Sequence, residues 1–187
     1  MLTANKEFEV RFLEIDVAAT KKKLLALGAQ DKGEVLLRET IIYDKDLEWL
    51  QSHQVIRIRE KGDEVEVTYK RHAKLKTLGS TEIEFQVDSA QRAAEIFEAI
   101  GLQVYRKQEK RRHTFKLGKI TFDIDTWPKI PAYIEIEGES QAVIKKAALS
   151  VGFDWSKAVF ENARTLAEKY YKIPMGTLRY FTFDRVE

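Results

Sequence analysis

The sequence has no cysteine, which excludes disulfide bonds, thiolate zinc sites and cysteine nucleophiles. It also has no apolar run of about 18 residues, and its first residues, MLTANKEFEV, lack the basic-then-apolar pattern of a secretory signal. We therefore expect a cytoplasmic protein with no membrane partner. The 32 Lys and Arg residues nearly balance the 30 Asp and Glu residues, and a net charge of only +2 gives no reason to expect a nucleic-acid partner.

Proline and linker sequence are scarce as well. The only prolines are Pro128, Pro131 and Pro174, and no Gly/Ser-rich stretch separates one part of the chain from another. A length of 187 residues suits one domain with a sizeable core, so we expect a single domain over residues 1–187. Charged residues make up 33% of the chain, above the usual quarter, so the fold must accommodate an unusually large number of charged side chains.

Alternation of polar and apolar residues predicts most of the secondary structure as strands. Gly62 and Asp63 mark a tight hairpin, and Leu117 and Gly118 mark another turn, so the strands should be largely antiparallel. The eight predicted strands cover residues 6–13, 34–44, 55–60, 64–72, 80–88, 104–116, 119–125 and 132–137.

Helical spacing predicts four helices. Three of them follow a capping residue and end at a glycine, which can take the left-handed conformation: 17–27 after Asp16, 90–100 after Ser89 and 141–151 after Ser140. A fourth helix over 157–171 should end before Pro174. The tail LRYFTF is too apolar to remain in solvent, and we expect it to dock on the rest of the chain.

Charged side chains alternate with apolar ones along almost every strand. Successive side chains of a strand point to opposite faces, so each strand has one charged face. For a single strand this pattern is typical of a solvated sheet face. Over all strands together it favours a sheet closed on its charged face, with helices packed outside: a mainly β (α+β) fold built on a closed eight-stranded antiparallel barrel.

Such an interior needs counter-charges, because unpaired buried charges are costly. Mg²⁺ and Mn²⁺ prefer oxygen ligands, commonly a few carboxylates together with substrate phosphates. Arginine matches phosphate oxygens in a bidentate way, and lysine acts as a point charge. Acidic and basic residues in one interior therefore indicate a polyphosphate substrate with Mg²⁺ or Mn²⁺.

The charged pairs also occur in a recognisable order: Glu7-x-Glu9-x-Arg11, Ile56-Arg57-Ile58-Arg59, Thr68-Tyr69-Lys70, Glu82-x-Glu84, Lys110-x-Arg112, Asp125 and Glu135-Ile136-Glu137-Gly138. This set resembles the CYTH superfamily, or triphosphate tunnel metalloenzymes, which includes class IV adenylyl cyclases, thiamine triphosphatases and inorganic triphosphatases. The resemblance implies a closed tunnel in which basic residues clamp a triphosphate and carboxylates hold one or two Mg²⁺ or Mn²⁺ ions.

Carried over by position, the resemblance implies metal ligands or their close support at Glu7, Glu9, Asp125, Glu135 and Glu137. It implies triphosphate contacts from Arg11, Arg57, Arg59, Lys70, Lys110 and Arg112, with Glu9 and Arg11 as the catalytic residues. Glu82, Glu84 and Asp123 are further tunnel carboxylates, and Asp123 is the alternative to Asp125 as a ligand.

Two departures from the family pattern bear on the reaction. Arg11 stands where the family has lysine, which argues against a general base at that position. The segment from Asp125 to Tyr133 differs from the Leu-Gly-Phe loop of many cyclases. We therefore expect a metal-dependent triphosphatase acting on tripolyphosphate, ATP or thiamine triphosphate. The alternatives are a class IV adenylyl cyclase, which makes cyclic AMP and pyrophosphate from ATP, and a non-catalytic polyphosphate or nucleotide binder. The oligomeric state is left open between monomer and homodimer.

Overall fold

The computed structural model describes residues 8–72 and 80–187 of the chain. The strands in that part are β1 (Phe8–Phe12), β2 (Gln30–Asp44), β3 (Gln54–Lys61), β4 (Glu64–His72), β5 (Ser80–Val87), β6 (Leu102–Leu117), β7 (Ile120–Trp127), β8 (Ile130–Gly138) and β9 (Tyr180–Phe181). The helices are α1 (Val17–Ala26), α2 (Glu48–Gln51), α3 (Ala90–Ala99), α4 (Gln141–Val151) and α5 (Ala163–Tyr171), with a 3₁₀ turn over Trp155–Lys157.

All eight predicted strands and all four predicted helices are present. The side chains of Asp16, Ser89 and Ser140 accept hydrogen bonds from backbone N–H groups three residues on, so the three predicted N-caps are confirmed. The last helix begins at Ala163 rather than near residue 157, because Asn162 caps it and the 3₁₀ turn over Trp155–Lys157 ends at the extended residue Ala158.

Two short elements were not predicted. Helix α2 has four residues, too few for a periodic signal, and the Asp44 carboxylate starts it by accepting from the N–H groups of Glu48 and Trp49 at 3.0 and 2.8 Å. Strand β9 pairs in parallel with Lys107 and Gln108 of β6, and the side chain of Phe181 is fully buried. The docking of the apolar tail is thereby confirmed.

The described residues divide into two compact units. Unit one comprises residues 36–72, 80–110 and 176–187. Its strands β2, β3, β4 and β5 pair consecutively and antiparallel. One face of this sheet is apolar and packs against α3, with a core formed by Ile42, Ile56, Ile58, Val67 and Ala93. The charged residues of β3, β4 and β5 alternate with this apolar set.

Unit two comprises residues 8–35 and 111–175. Here β8 lies between β1 and β7, and β7 pairs on its other edge with the second half of β6, all antiparallel. The apolar face packs against α1 and α4 around a core of Val10, Leu24, Phe115, Phe122, Ile134, Ile136, Ile144 and Ala148. The opposite face of the four strands carries the charged residues of this unit.

In hydrogen-bonding order the strands run β1-β8-β7-β6-β2-β3-β4-β5, with β9 beside β6. The fold is thus mainly antiparallel β with helices, as expected. This order begins at β1 and ends at β5, which do not pair within residues 8–72 and 80–187, so the closed barrel is not confirmed. The single domain over 1–187 also stays a prediction. In the described part of the chain, no helix is long and apolar enough to cross a membrane.

Candidate functional site

The register of unit two brings its predicted site residues into three adjacent rows across the sheet. Glu9 lies opposite Glu137, and Glu137 lies opposite Thr121. The next row contains Arg11, Glu135, Asp123 and Thr114, and the third contains Tyr133, Asp125 and Arg112. Glu7 lies outside the described residues.

Arg112 is surrounded by carboxylates. Its Nε and Nη2 donate to the two oxygens of Asp125, both at 2.7 Å, and its Nη1 lies 2.7 Å from Asp123. Its Nη2 also lies 3.4 Å from Glu135. Burial raises the pKa of Asp123 although Arg112 opposes the shift, and the side chain of Asp125 is fully buried. Asp123 and Asp125, the two alternatives for a metal ligand, therefore both form ion pairs with the guanidinium of Arg112.

Arg11 is buried in a second set of acceptors. Its Nη2 lies 2.5 Å from Glu135 and 3.0 Å from Glu9, and its Nη1 donates to the carbonyl of Glu161 at 2.7 Å. Burial opposes the charge of Arg11, but Glu135 and Glu9 outweigh it and raise the pKa of the guanidinium. Arg11 is a permanent cation, which agrees with the argument against a general base. Its Nε is buried without a hydrogen-bond partner among residues 8–72 and 80–187.

Glu9 and Glu137 form a directly opposed pair of like charges, and both are half-buried. Directly opposed like charges destabilise a sheet unless something compensates them. Within the described residues no three His, Asp or Glu side chains gather closely enough to hold a metal ion by themselves. Mg²⁺, however, commonly takes only one or two carboxylates and completes its shell with water and substrate phosphates. The donor chemistry of this pair fits that requirement.

The charged cluster of unit one is organised by Glu39 on β2. Arg59 donates to it through Nε at 2.8 Å and contacts it through Nη2 at 2.7 Å, and Gln108 donates at 2.6 Å. Burial raises the pKa of Glu39, but the charges of Arg59, Arg57 and Lys110 outweigh it and hold this pKa well below its ordinary value. Glu39 is therefore ionised at any physiological pH.

The other predicted residues of unit one adjoin this cluster. Arg57 donates to the Thr68 hydroxyl at 3.2 Å, and Lys70 pairs with Glu82 at 2.7 Å. Burial and the neighbouring Glu66 raise the pKa of Glu84, so this carboxyl group retains its proton to higher pH. The predicted phosphate contacts from Arg57, Arg59, Lys70 and Lys110 thus belong to one unit, and those from Arg11 and Arg112 to the other.

The CYTH domain family matches residues 5–171 of this sequence. The chain belongs to the CYTH domain family. No curated protein matches the sequence.

Several solved structures share the CYTH fold of this chain. A protein from Pyrococcus horikoshii OT3 is 23% identical, with a TM-score of 0.71 over 83% of this chain and 96% of its own. A candidate adenylate cyclase from Vibrio parahaemolyticus has a TM-score of 0.77 at 11% identity, over 89% of this chain and 99% of its own. A candidate adenylyl cyclase from Hippeastrum has a TM-score of 0.63 at 13% identity, over 89% and 95%.

Sequence reasoning missed Glu39, Arg106 and Gln108 of this CYTH domain. Arg106 Nε donates to the side-chain oxygen of Gln108 at 2.9 Å, and both residues are buried. Glu39 was detectable, because it shares a strand face with the apolar Leu37 and Ile41 and a buried charge in an apolar row requires a partner. Its partner Gln108 on β6 was not detectable, because the sequence of β6 does not reveal that β2 lies beside β6 in the sheet.

Tyr133 was also missed, although it alternates with Glu135 and Glu137 on β8. Its hydroxyl accepts from Nε1 of the buried Trp127 at 2.9 Å and donates to Asp125 at 3.4 Å. Burial, together with Asp125 and Glu135, raises the pKa of Tyr133, so the hydroxyl keeps its proton. Tyr133 therefore links Trp127 to the carboxylate that holds Arg112.

We expect Tyr133→Phe to lower the free energy of unfolding by about 1–3 kcal/mol, because it removes the hydroxyl that accepts from the buried indole N–H of Trp127. Urea denaturation followed by tryptophan fluorescence measures this change. Tyr170→Phe is the matched control. Tyr170 is exposed, and its hydroxyl makes a long hydrogen bond of 3.4 Å to Glu161. Equal stability of the two variants would show that the Trp127 N–H finds another acceptor.

Proposed function

We propose that this CYTH domain protein hydrolyses triphosphates, either inorganic or carried on an organic group, with the help of divalent metal ions. The observation that carries the proposal is a difference in charge: carboxylates outnumber cations on the polar face of unit two, and cations outnumber carboxylates in the cluster of unit one. On unit two, five carboxylates face three cations: Glu9, Asp123, Asp125, Glu135 and Glu137 against Arg11, Arg112 and the exposed Lys116. The cluster of unit one contains five cations and four carboxylates: Arg57, Arg59, Lys70, Arg106 and Lys110 against Glu39, Glu66, Glu82 and Glu84.

An excess of carboxylates on one polar face suits a divalent cation, and an excess of guanidinium and ammonium groups suits phosphate. We assign metal binding to Glu9 and Glu137, with Glu7 as a further ligand, and a supporting role to Asp125 and Glu135, which orient Arg112 and Arg11. When bound, the metal neutralises charge on the phosphate oxygens and activates water. Mg²⁺ and Mn²⁺ both fit an all-oxygen donor set.

The proposed triphosphate contacts are Arg57, Arg59, Lys70 and Lys110 of unit one and Arg11 and Arg112 of unit two, each described within its own unit. Arg11 belongs to the set because its buried Nε lacks a partner among the described residues, and a phosphate oxygen would supply one. Arg112 keeps one Nη1 hydrogen beyond its contacts with Asp123, Asp125 and Glu135, since a guanidinium has five N–H groups. Glu82 and Glu84 of unit one and Asp123 of unit two are proposed as further carboxylates.

A closed tunnel, the cytoplasmic location and the choice between monomer and homodimer remain predictions.

The second candidate function is ATP cyclisation. The solved structures do not choose between the two reactions: the Vibrio relative is named as a candidate adenylate cyclase, whereas the Hippeastrum relative is described with a dominant triphosphatase activity. Hydrolysis is favoured by the segment after Asp125, where Trp127 is buried and bonded to Tyr133 instead of forming the Leu-Gly-Phe loop of cyclases.

The deciding experiment is a product analysis. The purified protein is incubated with tripolyphosphate or ATP in Mg²⁺ or Mn²⁺, and the products are separated by chromatography. We expect orthophosphate from tripolyphosphate and no cyclic AMP from ATP. Cyclic AMP with pyrophosphate would establish the cyclase instead. Binding of tripolyphosphate without any product would indicate the third possibility, a non-catalytic polyphosphate binder.

A further inference from the structure

Glu39 is a buried carboxylate in a part of β2 where its neighbours on the same face are apolar. Only 4% of the residue is exposed, and Leu37 and Ile41 on either side are equally buried. A carboxylate in such surroundings is costly unless it is paired and hydrogen-bonded. The register places Arg59 of β3 directly opposite, so the pairing is built into the sheet itself.

Both carboxylate oxygens of Glu39 are held. Arg59 contacts Oε1 through Nε and Nη2 at 2.8 and 2.7 Å, while Gln108 donates to Oε2 at 2.6 Å. Gln108 is fixed in turn because its side-chain oxygen accepts from Arg106 Nε at 2.9 Å. The carboxylate therefore cannot rotate without breaking a buried hydrogen bond.

The same contacts fix the direction of Arg59. A guanidinium carries five N–H groups in a planar fork, and the contacts with Glu39 use its Nε–Nη2 edge. Within the part of the chain that the structure describes, the Nη1 group remains for another acceptor, in an orientation that Glu39 sets. The Nε of Arg57 lies 4.0 Å from the same Oε1, and its Nη2 donates to Thr68 at 3.2 Å and lies 3.9 Å from Glu66. The short contacts of Glu39 with an arginine are those with Arg59.

We propose, resting on the proposed triphosphatase function, that Glu39 is a positioning residue: it orients Arg59 toward the substrate phosphate and offsets part of the positive charge around it. These two effects have opposite consequences for affinity and for turnover. Without the negative charge of Glu39, the cations bind a polyanion more tightly. Without its hydrogen bonds, Arg59 no longer holds the phosphate in the reactive geometry.

The test compares the dissociation constant and kcat for tripolyphosphate in Glu39→Gln and in the wild type. We expect the variant to bind roughly three- to tenfold more tightly, because one negative charge is removed near the phosphates. We expect kcat to fall by about 10- to 100-fold, because misplacement of a clamping group costs that much. Glu39→Asp, which keeps the charge but shortens the side chain, should lower kcat without any gain in affinity.

A double-mutant cycle separates positioning from a general structural role. If Glu39 acts through Arg59, then Glu39→Gln should change kcat less than twofold in an Arg59→Ala background. The matched control is Glu60→Gln, which removes one charge from the residue next to Arg59 but on the opposite face of β3, opposite Arg38. This control should leave both the dissociation constant and kcat unchanged. Urea denaturation confirms that each variant is folded.

Wild-type kcat in Glu39→Gln, or the same loss of kcat in both backgrounds, would overturn the inference. A wild type that binds tripolyphosphate but does not hydrolyse it contradicts the proposed function alone. In that case calorimetric titration still decides the role of Glu39: tighter binding by Glu39→Gln supports it, and unchanged binding contradicts it. A wild type that binds no tripolyphosphate overturns both proposals.

Discussion

Glu9→Gln should lower metal-dependent hydrolysis of tripolyphosphate by about 100-fold or more while the fold persists. The substitution keeps the shape of the side chain and removes the charge that, in our proposal, holds the divalent ion beside Glu137. Metal ions contribute several kcal/mol to stabilisation of transition-state charge, and each 1.36 kcal/mol corresponds to about a factor of ten in rate. Steady-state assays over a range of Mg²⁺ and Mn²⁺ concentrations measure the effect.

Stability without metal should respond differently from turnover. Glu9 and Glu137 are directly opposed like charges, so removal of one relieves their repulsion. Arg11 loses its contact with Glu9 but keeps Glu135 and the Glu161 carbonyl. In metal-free buffer we therefore expect the variant to lie within about 1 kcal/mol of the wild type. Metal at about 100 times its dissociation constant should stabilise the wild type by about 2.7 kcal/mol and leave the variant unaffected.

The matched control for this experiment is Glu139→Gln. Glu139 lies just beyond β8, is exposed, and makes a loose ion pair with Lys119 at 3.6 Å, so its charge should not matter for turnover. Full activity of Glu9→Gln with an unchanged response to metal would move the metal site away from β1 and β8. Equal losses in both variants would indicate a general electrostatic effect instead of a ligand.

Much of the fold could be predicted because alternation and helix capping are local signals. Each strand displays its two faces within five or six residues, and Ser140 with Gly152 defines both ends of α4. Strand β9 was missed because it depends on pairing with the distant strand β6, and helix α2 because four residues are too few for a periodic signal. The closure of the sheet was inferred from the number of charged faces, which does not determine whether the first and last strands pair.

The candidate site could be predicted as a set of residues but not as a set of partners. Alternation identified Asp125 and Arg112 as members of charged faces on two strands. Only the register reveals that the two residues lie opposite each other and form two hydrogen bonds. Asp125, which the resemblance implies as a metal ligand or its close support, thus holds the guanidinium of Arg112 in the fold. The same limitation hid the partners of Glu39, which lie 20 and 69 residues away.

Arg112→Met should destabilise the protein by about 3–5 kcal/mol at pH 7, the cost of breaking a buried ion pair on one side. Methionine fills similar space, but Asp123 and Asp125 lose their counter-charge. Among the hydrogen bonds within residues 8–72 and 80–187, Asp123 then keeps that from the Thr114 hydroxyl at 2.5 Å, and Asp125 keeps that from the Tyr133 hydroxyl at 3.4 Å. Glu135 still has Arg11 as a partner. Urea denaturation at pH 7 measures the loss.

The pH dependence of this loss identifies its cause. Arg112 lowers the pKa of Asp123 in the wild type, against burial and the neighbouring carboxylates, which raise it. In the variant the hydrogen bond from Thr114 still lowers this pKa, but Arg112 no longer opposes burial and the neighbouring carboxylates, so the folded-state pKa moves further above the unfolded value. A group with a raised folded pKa stabilises the fold below its unfolded pKa and loses that contribution as pH rises through the folded pKa. The deficit of Arg112→Met should therefore shrink between pH 7 and pH 5.

Two further variants test this electrostatic explanation. Adding Asp125→Asn to Arg112→Met removes one of the charges that Arg112 neutralises and should recover part of the lost stability at pH 7, whereas Asp125→Asn alone should destabilise the wild type. Arg111→Met is the matched control, because Arg111 precedes Arg112 on β6 but is exposed, so we expect a change within about 0.5 kcal/mol. A deficit that is constant from pH 7 to pH 5 and is not relieved by Asp125→Asn would assign the loss to packing around Arg112 rather than to its charge.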